Sequence, residues 1–81
     1  MLTITNATVT REAVWQAFRG TPDVRLRERY HAMLLLLDGK TCPEIAQRLY
    51  HDEETIRSWV HAVNDQGLDG LGRAPIPGRP P

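Results

Sequence analysis

The stretch Thr41-Cys42-Pro43-Glu44-Ile45-Ala46-Gln47-Arg48-Leu49-Tyr50-His51-Asp52-Glu53-Glu54-Thr55-Ile56-Arg57-Ser58-Trp59-Val60-His61-Ala62-Val63 decides how the rest of the chain is read. Its opening residues form a capping box. The Thr41 hydroxyl can accept from the Glu44 amide while the Glu44 carboxylate reaches back, and Pro43 has the fixed torsion that suits a first turn. A short helix is therefore predicted from about Pro43 to Leu49, with Ile45 and Leu49 turned inward and the small Ala46 beside them. Asp52 is a good cap for a following helix, on which Ile56, Trp59, Val60 and Val63 recur at helical spacing. Two helices joined in this way make a helix-turn-helix. Ala46 permits the close approach of the pair.

Toward the N-terminus, Asp38-Gly39-Lys40 ends a longer helix expected from about Asp23 to Leu37, Gly39 serving as its left-handed stop. Leu26, Tyr30, Met33 and Leu37 mark its buried stripe, with Leu34 alongside. Before it, Thr10 introduces a helix from Arg11 to Arg19 with Val14, Trp15 and Phe18 on one face; Gly20 and Thr21-Pro22-Asp23 close it. Toward the C-terminus, Gly67 is the expected stop of the fourth helix. From Leu68 the chain reads Leu-Asp-Gly-Leu-Gly-Arg and then Ala-Pro-Ile-Pro-Gly-Arg-Pro-Pro, a glycine and proline density that predicts an extended arm and no regular helix. The expected architecture is thus all-α: a bundle of about four helices over residues 1–67, followed by a Gly/Pro-rich arm over 68–81.

The bulk properties agree with one small core. Eighty-one residues with 41% apolar and 25% charged side chains have the composition of a single globular unit. The lone Cys42 has no partner for a disulfide or a zinc-type pair, and a reducing compartment fits. Met1 to Thr10 lacks a basic flank followed by an apolar run, and the longest strongly apolar run, Ala32 to Leu37, is too short to span a bilayer. No signal peptide, no membrane contact and a cytoplasmic, nucleoid-associated location are expected. Ten basic and ten acidic residues cancel formally, so any binding of nucleic acid must depend on where the charges sit.

Their placement follows from the helical register. With Ile56 and Trp59 inward, Glu53, Glu54, Arg57, Ser58 and His61 lie on the outward face of the last helix, which is narrow enough for the major groove of double-stranded DNA. Arg57 can donate a bidentate pair to guanine, and Glu53 or Glu54 can accept from a cytosine amino group. Arg48 and Thr55 are better placed for phosphates. Arg25, Arg27 and Arg29 form either the solvated side of the long helix or a further backbone contact. Asp52, Glu53 and Glu54 favour the helix start electrostatically, yet they repel phosphate.

Other chemistries find little support. His31, His51, His61 and Cys42 match no compact ligand pattern, so no metal is expected. Ser58 and His61 lack a third group or an oxyanion feature, and no cofactor or small-molecule ligand is indicated. No catalytic residue is assigned, and an enzyme is not expected. Besides sequence-specific DNA binding, two readings stay open: a stand-alone transcriptional regulator, and a protein interaction or dimerisation module, for which a second copy of the chain is a candidate partner.

A resemblance narrows these. The run Thr21-Pro22-Asp23-Val24-Arg25-Leu26-Arg27-Glu28-Arg29, the stretch Leu34 through Lys40, then Glu44-Ile45-Ala46-Gln47-Arg48-Leu49, Thr55-Ile56-Arg57-Ser58-Trp59, Gly67-Leu68-Asp69-Gly70-Leu71 and Gly78-Arg79-Pro80-Pro81 together resemble the N-terminal region of bacterial insertion-sequence transposases of the mariner superfamily. The resemblance covers nearly the whole chain. It implies a homeodomain-like, paired-type DNA-binding domain that recognises the terminal inverted repeats of a transposon. It also implies that the acidic, metal-binding domain that cuts and joins DNA in that family lies outside these residues. Three positions depart from the pattern: Tyr50 and His51 replace the usual glycine and aliphatic residue of the turn, and Asp52 replaces the usual serine cap. In the arm, Pro77-Gly78-Arg79-Pro80 resembles half of an AT-hook, which places Arg79, and with it Arg73, among the DNA-binding candidates; a solvated linker is the alternative.

Overall fold

The computed structural model describes residues 2–73, which form five helices: α1 (Arg11–Gly20), α2 (Val24–Leu37), α3 (Cys42–Leu49), α4 (Glu53–Gln66) and α5 (Asp69–Arg73). Among the described residues there is no strand. The fold is all-α, as expected, with one helix more than the sequence predicts.

Each of the first three helices is started by a side chain. Thr10 Oγ1 accepts from the Ala13 amide at 3.1 Å, and Asp23 Oδ1 accepts from the Arg25 and Leu26 amides at 2.9 and 3.3 Å. The capping box at α3 is complete: the Glu44 amide donates to Thr41 Oγ1 at 3.3 Å, and the Thr41 amide donates to Glu44 Oε1 at 3.0 Å. The Thr41 amide and hydroxyl, both donating to the Glu44 carboxylate, hold it below its ordinary pKa. At α4 the expected cap is only positional. Asp52 has extended backbone torsions at the N-cap, but its carboxylate makes no capping hydrogen bond.

Helix α2 is the hub, packing against each of the other four. Its last two turns are therefore buried nearly all round, with Tyr30, Ala32, Met33, Leu34, Leu35 and Leu36 in the core. Gly39 then reverses the chain at φ 99°, while the Lys40 amide donates to the Leu35 carbonyl at 3.0 Å. In α1 the expected inward face is narrower than predicted. Val14 is fully buried and Phe18 partly so, but Trp15 is 41% exposed and stacks on Phe18 with ring centroids 5.7 Å apart.

The main correction concerns the segment after Gly67. An extended arm is expected from Leu68, yet Asp69–Arg73 is helical and the Leu71 side chain is fully buried. Gly70 has a packing role here. A Cβ at that position would lie 2.5 Å from the Ala62 carbonyl oxygen, so only glycine lets α5 press on the backbone of α4. Arg29 closes the arrangement by donating from Nη1 to the Leu71 carbonyl at 2.5 Å. Residues 74–81, including Arg79 and the Pro77–Pro80 motif, lie outside the described residues.

The segment before α1 is also tied in. Asn64 of α4 uses its side-chain amide like a strand neighbour: Oδ1 accepts from the Thr5 amide at 2.7 Å, and Nδ2 donates to the Thr3 carbonyl at 2.9 Å. Asn6 Nδ2 returns the contact by donating to the Val63 and Asn64 carbonyls at the end of α4. Val9 completes the seal in the core.

Candidate nucleic-acid interface

The turn between α3 and α4 sets the angle at which α4 is presented. Tyr50 takes the left-handed conformation, φ 60° and ψ 41°, and is the one non-glycine residue with positive φ among those described. The residue is 94% exposed, so little packing offsets a backbone cost on the order of 1 kcal/mol. The next residue does repay it. His51 Nε2 lies 2.6 Å from Glu28 Oε1, and its ring meets the Trp59 ring edge-on at 5.1 Å. Arg29 covers Trp59 at 5.5 Å. His51 thus joins α2, the turn and α4.

Behind the candidate surface the inward register is as predicted. Ile45, Ala46, Ile56, Trp59, Val60 and Val63 are buried, and Leu49 packs partly against them. In front, Glu54, Arg57 and His61 are exposed along one face of α4, with Glu53, Thr55 and Ser58 half-buried beside them.

These side chains are not equally free. Arg57 Nη2 is ion-paired with Glu53 Oε2 one turn earlier on α4. Both charges also act on the Cys42 thiol at the start of α3: burial is the main cause of its raised pKa, Arg57 pulls it down and Glu53 pushes it up. Ser58 Oγ donates to the Thr55 carbonyl at 2.7 Å, so its proton is spent on the helix and only its acceptor capacity faces outward. Glu54 makes no ion pair among the described residues.

The candidate phosphate contacts separate. Arg48 is exposed on α3 and, with Lys40, lines a shallow cleft of about 270 Å³ that also includes Leu35, Glu44, Ile45 and Gln47. Lys40 carries no motif signal in the sequence, because it sits in the turn before the Thr41 cap. Of the α2 arginines, Arg29 is committed to Leu71 and Trp59, and Arg27 donates to the Thr21 carbonyl at 3.1 Å. Arg25 is left exposed. Arg73 falls on the last residue of α5.

A model of the homeodomain-like domain matches residues 23–72, which run from the cap of α2 into α5. The chain belongs to the homeodomain-like family. No curated protein and no solved structure matches it. The homeodomain-like match includes the helix-turn-helix of α3 and α4 and marks this part of the chain as a DNA-binding type of domain, generally non-catalytic. It also takes in α5 up to Gly72, in keeping with a core that includes Leu71. Among the described residues no group of histidine, cysteine and carboxylate side chains is arranged to hold a metal, and no helix is long and apolar enough to cross a membrane.

Proposed function

We infer that this homeodomain-like domain binds double-stranded DNA sequence-specifically, recognising the terminal inverted repeats of a transposon as the N-terminal part of a transposase. The observation that carries the DNA reading is the division of α4 into a sealed inner face, Ile56, Trp59, Val60 and Val63, and an exposed outer face bearing Glu54, Arg57 and His61. A helix held so firmly from behind and open in front can enter a major groove without unpacking. The transposase part rests on the resemblance in sequence. Arg57 is assigned to a base edge, with Glu53, Glu54, Ser58 and His61 around it. Arg48 and Thr55 are assigned to the phosphate backbone, as are Arg73 and Arg79 beyond α4. The site of action is the cytoplasmic nucleoid, and paired inverted repeats would seat two copies of the chain.

Binding to inverted-repeat duplexes tests this across a salt series. Log affinity should fall linearly with log salt, at a slope of about 0.9 per phosphate neutralised, and a specific duplex should outcompete a scrambled one. Arg57→Ala should remove roughly 1 to 3 kcal/mol of preference at one base pair, whereas Arg48→Ala should weaken binding to every duplex alike. Equal, weak binding to all duplexes would reject the assignment and favour an interaction module, for which the exposed Trp15 and Val24 are the observed apolar surface.

A further inference from the structure

We propose that Glu53 is a positioning residue for base readout: its carboxylate holds Arg57 in a fixed pose and withholds it from phosphates, so that its guanidinium is presented to a guanine edge. The inference rests on the DNA-binding reading above and assigns Glu53 a different task from accepting a cytosine amino group.

The geometry is local and specific. Glu53 and Arg57 stand one turn apart on α4, with Arg57 Nη2 set against Glu53 Oε2. Arginine carries five N–H donors in a rigid fork, so a single contact leaves enough free to meet both O6 and N7 of guanine. Glu53 is the more sheltered partner, with its side chain 37% exposed against 51% for Arg57. The carboxylate is therefore the fixed post and the guanidinium the part that reaches out. Surface pairs of this kind contribute little to stability, because side-chain entropy and solvent screening offset most of the attraction. What the pair does supply is a restricted arginine with its charge locally cancelled. An unpaired arginine at the same place would be drawn to any nearby phosphate, which carries no sequence information. The neighbouring Asp52, which is assigned to neither a base nor a phosphate, provides an internal control. It carries the same charge at the start of α4, is exposed, makes no capping bond, and pairs with no cation among the described residues.

The test uses the full chain and a duplex selected by the parent protein from a random pool, with its single-base-pair variants and a scrambled duplex. Glu53→Gln and Asp52→Asn remove the same charge, so both should bind the scrambled duplex several-fold more tightly than the parent, with steeper salt dependence. Only Glu53→Gln should also lose preference, by about tenfold, at the base pair whose preference Arg57→Ala abolishes. Glu53→Asp keeps the charge but withdraws the carboxylate by one methylene, and should lose that preference with a smaller gain on the scrambled duplex than Glu53→Gln, since only the release of Arg57 contributes to it. Circular dichroism of each variant should match the parent, since the substitutions lie on the surface. A parent that discriminates, combined with a Glu53→Gln variant that retains the preference or an Asp52→Asn variant that loses it equally, overturns this role for Glu53 alone. A parent that selects no sequence overturns the DNA-binding reading itself, and this inference with it.

Discussion

The two ends of α4 are built in opposite ways. At its C-terminal end, Asn6 caps the Val63 and Asn64 carbonyls, Asn64 grips the backbone of Thr3 and Thr5, Gly70 presses on Ala62, and Leu71 fills the core. At its N-terminal end, Asp52 makes no capping bond, the preceding Tyr50 stands in the solvent with left-handed torsions, and the surface contact is the Glu53–Arg57 pair. The polar and glycine-mediated anchors of the C-terminal end lie away from the proposed DNA contact. The candidate reading end carries its charged groups on the surface of the helix, with Glu53 set against Arg57. A domain that reads base edges gains from this division, because buried contacts keep the helix axis fixed while the outer side chains meet the groove.

The largest effect should come from breaking the anchored end. Leu71→Ala removes a fully buried side chain from a helix of five residues that cannot be stable alone. A loss of about 2 to 5 kcal/mol is expected in chemical unfolding. Were residues 68–73 an extended arm, the same substitution would be nearly silent. At the other end, Tyr50→Gly should stabilise the protein by about 1 kcal/mol, by relieving the left-handed strain of a side chain that packs on almost nothing. For a domain of this size that corresponds to a rise of roughly 4 to 8 °C in Tm. A fall in Tm would mean that the Tyr50 ring makes contacts in solution that its 94% exposure does not show.

Why the sequence yields one end of α4 more readily than the other has a physical basis. The caps at Thr10, Asp23 and Thr41 are local, spanning two or three residues, and so are the apolar repeats of Ile56, Trp59, Val60 and Val63. Such signals survive without knowledge of the fold. The outward face of α4 follows from the same register, and Glu53 to Arg57 at i,i+4 was there to be paired. The anchors are different in kind. Arg29 meets Leu71 across 42 residues, and Asn64 meets Thr5 across 59, with no periodicity to announce either. Gly70 misleads outright, since a glycine needed for close approach is written with the same letter as one that ends a helix. Its correct reading required knowing that Ala62 lies against it.

The smallest effect is expected where a cap rule fails. Thr41 and Asp52 occupy equivalent N-cap positions on the two helices of the motif, and both residue types are favoured there. Thr41→Ala should cost about 1 kcal/mol, because it removes the hydroxyl that satisfies the Glu44 amide and leaves half a capping box. Asp52→Ala loses no hydrogen bond. It loses an attraction to the helix dipole, worth roughly 0.3 to 1 kcal/mol before screening, but relieves repulsion from Glu53 and Glu54 on the following turn. These terms oppose each other, so a net change within about 0.5 kcal/mol is expected from paired thermal melts. A cost equal to that of Thr41→Ala would show that the Asp52 carboxylate caps α4 in solution. The contrast between the ends would then shrink to the packing around Asn64, Gly70 and Leu71, and the acid at the start of α4 would count as structural scaffolding instead of a group left open to DNA.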